Sequence, residues 1–319
     1  MQRQRFIKIL AAAAMAGLTT LAYAQTKTTR ILVAFPPGGP VDFVARTLTE
    51  QLSKELGQQV MVENKAGANG AIAADTLLKA PADGQTLWLT SVGAVAINPS
   101  LYAALPYDPV RDLAPVSLVV NNVEMLVVNP NNPVHGPQEF IAAARQKSTT
   151  MASSGTGSVP HLAMELLADA TRADLIHVPY KGAAPAITDV MAGHVDGFFG
   201  DIPGLMGHIR SGKLKPVALA STRRHPLFPD VKTFQEIGVA GVDSDNWYAL
   251  FAHKNTSAAE LDRLNQAVRR TLASEAVRTK LIASGAEPSA SSSAELSALL
   301  KNDMAKWGRV IRDKKVKAD

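Results

Sequence analysis

A two-lobed α/β fold is what this sequence predicts, and three observations carry the prediction. Short apolar runs of strand length alternate with amphipathic stretches along almost the whole chain. The alternation passes through two successive blocks of similar layout, without obvious sequence identity between them. Beyond an N-terminal leader, roughly 295 residues remain, a length that suits two compact lobes.

In the first block, Arg30–Phe35 reads as a strand, Pro36–Pro40 as a loop and Val41–Leu56 as a helix with Val44, Leu48 and Leu52 on one face. Gln59–Glu63 reads as a strand, Asn69–Lys79 as a helix and Gln85–Thr90 as a strand introduced by the turn signal Asp83-Gly84. Such β-α-β units build parallel sheets with right-handed crossovers. In the second block, strands at Met125–Val128, Thr150–Ser153, Leu175–Val178, Val195–Phe199 and Pro216–Ala220 alternate with helices at Pro137–Lys147, from Pro160 onward, and at Pro185–Ala192. The apolar strand Trp247–Ala252 precedes three polar-faced helices over Ser257–Ala273, Glu275–Ser284 and Ala294–Lys314, which need a sheet to cover. If the apolar strands near 126 and 250 both connect the lobes, the chain leaves the first lobe, builds the second and returns. Two crossings then form a hinge, and ligands favour such interfaces. The expected division is 25–125 with 249–319 as a discontinuous first lobe and 126–248 as the second, each a mainly parallel sheet flanked by helices.

The leader has the three parts of a secretory signal: basic Arg3, Arg5 and Lys8, an apolar run from Ile9 to Leu18, and Ala22-Tyr23-Ala24 at the cleavage position. The apolar run is too short to span a bilayer, which takes about 20 apolar residues. Gln4 separates the two arginines, so the pattern is not a twin-arginine signal. Residues 1–24 are therefore expected to be removed after Ala24. The chain has no cysteine, which excludes disulfides, thiolate metal sites, cysteine nucleophiles and a lipid-carrying cysteine. An untethered, Sec-exported, monomeric protein of the periplasm is the expectation. Of 33 basic residues three lie in the leader, leaving 30 against 28 acidic ones. That near-neutral balance gives no nucleic-acid footprint.

Two loops have the makings of anion sites. In Phe35-Pro36-Pro37-Gly38-Gly39-Pro40-Val41-Asp42 a strand ends, glycines turn and a helix begins. The first N–H groups of a helix lack internal partners, and its dipole adds positive potential there. An ordinary strand-to-helix turn has the same composition. Ser153-Ser154-Gly155-Thr156-Gly157-Ser158-Val159-Pro160-His161 repeats the arrangement and adds hydroxyl donors, although Thr156 or Ser158 also suits a helix cap. Neither loop matches a phosphate or dinucleotide fingerprint, so carboxylates are favoured over nucleotides. The binding candidates are Pro37, Gly38, Gly39, Val41, Asp42, Ser154, Gly155, Thr156, Gly157, Ser158 and His161. Ser91, Tyr180 and Asp201 join them at strand ends, and Trp247 stands beside the supposed hinge. Asp201 suits a ligand amine or hydroxyl, or merely a cap on the next turn. Catalysis has thin support: no nucleophile elbow surrounds Ser154 or Ser158, and the i, i+4 pair His161 and Glu165 falls short of a catalytic zinc site, which needs three protein ligands. No cofactor is called for.

At this point the residues resemble a known family, the Bug family of periplasmic solute receptors, which are the receptor components of tripartite tricarboxylate transporters. The similarity covers essentially the whole mature chain. It is carried by Phe35–Gly39 through Asp42, Ala45 and Arg46; by Glu63–Gly67; by Pro81–Leu87; and by Ser154–Ser158 through His161 and Leu162. Its most specific stretch is His177-Val178-Pro179-Tyr180-Lys181-Gly182, running on through Pro185, Ala186 and Asp189. The resemblance implies a Venus-flytrap fold of type II, a small organic acid held mostly by backbone N–H groups from Gly38–Asp42 and Ser154–Ser158, and delivery to a membrane transporter. A membrane signalling partner is the alternative, and a periplasmic hydrolase using Ser158 and His161 a weaker one. The sequence departs from the family at Ala71 and at Gly200-Asp201, where relatives often show a polar residue and Asp-Asn, so the ligand's identity does not carry over.

Overall fold

The computed structural model describes residues 27–317; the expected leader and its cleavage position lie outside these residues. Two sheets flanked by helices form two lobes. In chain order the elements are β1 (Thr28–Val33), α1 (Pro40–Leu56), β2 (Gln59–Asn64), α2 (Ala71–Leu78), β3 (Thr86–Ser91), α3 (Asn98–Leu101), α4 (Pro109–Asp112), β4 (Leu113–Asn122) and β5 (Glu124–Val128). There follow α5 (Pro137–Gln146), β6 (Thr149–Ser153), α6 (Val159–Thr171), β7 (Leu175–Pro179), α7 (Ala183–Ala192), β8 (Gly197–Asp201), α8 (Ile202–Arg210) and β9 (Lys215–Leu219). The chain ends with β10 (Asn246–His253), α9 (Ala258–Ala273), α10 (Glu275–Ser284), β11 (Glu287–Pro288) and α11 (Ser293–Lys314).

The first sheet has the order β11-β4-β10-β3-β1-β2 and the second β7-β6-β8-β5-β9. Both are mixed, where a mainly parallel sheet was expected. β1 pairs in parallel with β2 and β3, but β10 runs antiparallel to β3 and β4. β6 pairs in parallel with β7 and β8, while β5 runs antiparallel to β8 and β9. The cause is the chain's path: the strands that carry it between lobes must run against the β-α-β strands beside them. Strand pairing also refines where the chain crosses. Glu124 and Met125 already pair with Asp201 and Gly200 in the second sheet. Asn246, Trp247 and Tyr248 pair with Asn122, Asn121 and Val120 in the first, although the sequence reading placed them in the second lobe.

β4 has no counterpart in the sequence reading. Pro115 stands inside it and cannot donate to a ladder, which disguises the strand. The structure accommodates the proline with an irregular register: Phe251 faces Pro115 and Leu250 faces Ser117, so Val116 is looped past.

Each sheet buries both faces, as alternation along a strand requires. In β1, Ile31 and Val33 enter one core with α1, α9 and α10, while Leu32 enters another with α2 and α11. In β10, Tyr248, Leu250 and Ala252 face the first of these, and Trp247, Ala249 and Phe251 the second. β5 divides likewise, with Leu126 and Val128 on one side and Met125 and Val127 on the other. Gly70 shows how tight the packing is. Its φ is +98°, and a Cβ there would lie 2.8 Å from Ala94 Cβ and 3.1 Å from Trp88 Cζ2. Gly70→Ala is therefore expected to lower stability by about 1–3 kcal/mol, the usual cost of overpacking. Gly207→Ala, in helix α8 with nothing within 4 Å of the added carbon, is expected to leave stability unchanged or raise it. Thermal melts of the two variants beside the parent check both outcomes.

Candidate functional site

The parallel strands β1, β3, β6, β7 and β8 all deliver their C-terminal ends toward the seam between the lobes, where open α/β sheets place ligands. The loops that follow them enclose a cavity walled by both lobes. Four helices begin at its wall. Gly39, Pro40 and Val41 open α1; Ser158, Val159 and Pro160 open α6; Ala183 and Ala184 open α7; and Asp201 precedes α8. None of the four N-terminal positions carries a side-chain cap. Four helix N-termini, each the positive end of its helix, thus meet at one space, although the Ile202 N–H that opens α8 is already taken by Val123 O at 3.3 Å. Proline within the first turn of α1, α6 and α8 gives up an N–H but fixes the helical φ. Ser158 is 3% exposed, and its Oγ has no hydrogen-bond partner among the described residues. Among the described residues no Lys, Arg or His lines this cavity, so the positive potential at its wall is that of the helix N-termini.

Side-chain hydrogen bonds brace both loops. Asp42, 3% exposed, accepts from the Gly38 N–H (3.0 Å), Arg46 Nε (2.9 Å) and Asn64 Nδ2 (2.9 Å), and Asn64 also reaches Phe35 O at 3.0 Å. Burial pushes the Asp42 carboxyl up, but its bonds to Arg46, Gly38 and Asn64 outweigh burial and hold it below its usual range. In the second loop His161 Nδ1 accepts from the Gly157 N–H at 3.1 Å, and Gly155 N–H donates to Ser153 Oγ at 3.1 Å. Ser153 Oγ lies 2.6 Å from His177 Nε2, and the two imidazoles stack 3.7 Å apart. An accepting Nδ1 puts the His161 proton on Nε2, which points to Glu165 at 3.6 Å. His161 therefore serves the loop backbone, and the structure forms no Ser158–His161 pair.

Of the residues singled out from the sequence, Gly39, Val41, Ser91, Ser154, Ser158 and Asp201 line this cavity. Gly155, Thr156 and Tyr180 line a second one, which shares Phe35, Pro36 and Ser154 with the first. The Tyr180 hydroxyl turns to Asp189 at 2.6 Å. Pro37, Gly38, Asp42, Gly157 and His161 belong to the loops without lining either space. Trp247 also lies away from both: it is core, and its Nε1 donates to Asp303 at 2.6 Å. Its neighbours Asn246 and Tyr248 line the cavity instead. Alternation carried that signal, since a strand that turns Trp247 into one core turns 246 and 248 to the opposite face. Among the described residues no cluster of His, Asp and Glu is arranged to hold a metal ion.

Sequence reasoning also missed Glu124, whose signal was a lone acid opening an apolar strand. It is fully buried beside Asp201. Asn246 Nδ2 donates to Asp201 Oδ1 at 3.0 Å, to Asp201 Oδ2 at 3.1 Å and to Glu124 Oε1 at 3.3 Å, and the Tyr248 hydroxyl donates to Asp201 Oδ2. Burial pushes Asp201 up to about 7, even though Tyr248, Asn246 and Glu124 all donate to its charged form. Burial, and then the charge of Asp201, push Glu124 well above the usual range. The two carboxyls thus favour their neutral forms more than free acids do. Across the mouth, Asn69 Nδ2 of the first lobe donates to Gly157 O at 3.1 Å and to Asn98 Oδ1 at 2.8 Å, tying the second anion loop to the opposite lobe.

The acid pair makes stability depend on pH. In the unfolded chain both carboxyls titrate near 4; in the fold Asp201 is pushed up to about 7 and Glu124 is raised well above its usual range. Folding therefore takes up protons between these values. The contribution is complete below about 4 and is lost as pH rises through about 7. Asp245, pushed up to about 6, and Asp303, also raised, act in the same direction. A Glu124→Gln, Asp201→Asn double variant is expected to lose melting temperature less steeply than the parent from pH 4.5 to 8, by several degrees over the range. Equal slopes in melts of the two proteins would refute the raised titration of this pair.

With this geometry in hand, comparison with known proteins is informative. Residues 44–316 match the model of the family described as tripartite tricarboxylate transporter family receptor. Among curated relatives, the protein BugT of Bordetella pertussis is 36% identical over 306 residues, covering 94% of each chain. Among solved structures, the periplasmic binding protein BugD superposes with a TM-score of 0.87 at 30% identity, covering 92% of this chain and 99% of the other. MatC from Rhodopseudomonas palustris, solved with bound malate, gives 0.84 at 31% identity, covering 90% and 99%. The two mixed sheets, their lobes and the cleft between them are thus the periplasmic-binding-protein fold, and the chain belongs to the tripartite tricarboxylate transporter receptor family, TctC, to which Bug-type proteins are similar.

Proposed function

We propose that this chain captures a small organic carboxylate in the interlobe cavity and hands it to the membrane subunits of a tripartite tricarboxylate-type transporter. One observation carries the reading: four uncapped helix N-termini and the partnerless Ser158 hydroxyl surround a single cavity that no cationic side chain enters. Such a site suits a small anion, because the donors are fixed in place and bring no counter-charge to be desolvated. The malate found in MatC supports a carboxylate as that anion. The leader reading supports export through the Sec route with cleavage after Ala24, and action as a monomer in the periplasm. The loop-directed bonding of His161 supports a receptor over a hydrolase.

Capture works through the hinge. A ligand stabilises the closed arrangement only by contacts that the open one lacks. α1 belongs to one lobe and α6, α7 and α8 to the other, so a carboxylate bonded to both sets favours closure. The division of the chain into moving parts follows the two crossings, near 123 and near 246.

The test uses the chain from residue 25, dialysed free of ligand, with thermal shift against a panel of small carboxylates and calorimetry of those that stabilise it. At least one carboxylate is expected to bind at one site per chain. Ser158→Ala is expected to weaken that ligand roughly tenfold, the loss of one hydrogen bond to a charged group, with the melting temperature of the free protein unchanged. A panel without a stabilising carboxylate, or an affinity untouched by Ser158→Ala, would count against this reading.

A further inference from the structure

The cavity wall holds a second recognition element that a bare carboxylate leaves unused, and we infer that the ligand is a zwitterion: one carboxylate and one ammonium group on a small, largely apolar body. This inference rests on the carboxylate reading above and sharpens it.

The argument begins with Asn246, which is 4% exposed and lines the cavity. Its Nδ2 points at three carboxyl oxygens, Oδ1 and Oδ2 of Asp201 and Oε1 of Glu124, at 3.0, 3.1 and 3.3 Å. That fixes the amide's orientation, since a flipped amide would set oxygen against oxygen. Asn246 Oδ1 is then an acceptor, and it has no donor among the described residues. A buried acceptor without a donor is costly, so a ligand that supplies an N–H gains there.

Charge points the same way. Asp201 brings a carboxyl group to the wall, with the fully buried Glu124 carboxyl beside it. The groups that face Asp201 are the Tyr248 hydroxyl, the Asn246 amide and the Glu124 carboxyl. None of them is a cation, and no cationic side chain lines the cavity. A buried acid cluster is ordinarily offset by a cation. Here the protein supplies donors that stabilise one negative charge but no positive charge beside it. The rest of the wall is apolar, with Phe35, Val41, Val159 and Phe198 prominent. Backbone donors in one part of the wall, acceptors in another and apolar surface between match a molecule with a negative group, a positive group and a hydrocarbon body. A second ligand carboxylate would meet Asp201 in place of a donor.

The test compares ligands that differ in one group on one skeleton: valine, 2-hydroxyisovalerate and isopropylmalonate; phenylalanine, phenyllactate and benzylmalonate; 4-aminobutyrate, 4-hydroxybutyrate and glutarate. Calorimetry on the parent protein is expected to show at least one amino member binding roughly tenfold or more tighter than both of its partners, the gain from a charge-assisted bond. Asp201→Asn, checked for folding by circular dichroism, is expected to erase that preference while binding of the hydroxy member persists. If a hydroxy acid or a dicarboxylate binds as tightly as the matching amino acid, the zwitterion is overturned and the carboxylate receptor stands. If no member of the three sets binds while another carboxylate of the wider panel does, the zwitterion is likewise overturned and the carboxylate receptor stands; if the whole panel fails, both readings fail. The comparison on the parent protein decides the matter even if Asp201→Asn does not fold.

Discussion

The structure depends on one strand pairing. β4 leaves the first lobe and β10 returns to it, and the two lie side by side with Asn122 opposite Asn246. Because the crossings are adjacent and antiparallel, the lobes are joined along a single seam, with the cavity opening beside it. The same pairing makes the first sheet mixed and closes it with β11. It also brings Asn246 and Tyr248 to the cavity. Buried polar atoms without protein partners gather at this seam, among them both amide atoms of Asn122 and the hydroxyl of Ser244. Unpaired polar groups cost stability that packed apolar cores do not.

The electrostatics of the cavity follow from topology. Parallel strands place every following loop at the same sheet edge, and each loop opens a helix. Two lobes built this way and set edge to edge bring four helix N-termini together. A side-chain cation does the same work at greater cost, since it must be desolvated and held in one rotamer. Backbone N–H groups are already fixed by the helices behind them. Asp42 and His161 matter for this reason although neither lines the cavity: each binds an N–H of its own loop and so fixes the positions of the others.

Much of this was legible in the sequence. Nearly every strand and helix of the β-α-β blocks could be read from apolar periodicity, and both anion loops from glycines between a strand and a helix. The N-termini of α7 and α8 were not read as donors, because Gly182 and Asp201 precede them without the glycine pairs that marked the other two. β4 was hidden by Pro115, and the mixed order of the sheets by the fact that strand direction at a crossing depends on non-local pairing. Trp247 was named for its place beside the supposed hinge, whereas the period of two assigns it to core and Asn246 and Tyr248 to the cavity. Glu124 was overlooked because one acid in an apolar strand reads as an edge, and its burial is set by Asp201 and Asn246, which are distant in sequence.

The acid cluster joins the two themes, seam and site. Asp201 and Glu124 belong to the second sheet, while Asn246 and Tyr248 belong to the first. The bonds from Asn246 and the Tyr248 hydroxyl to Asp201 therefore run between lobes. They are strongest when Asp201 carries its charge, since donors to a carboxylate form better bonds than donors to a neutral acid. Whatever holds Asp201 ionised in its buried setting thus tightens a contact between the lobes. That contact falls at the cavity wall because the register of two neighbouring strands sets Asn246 and Tyr248 beside Asp201.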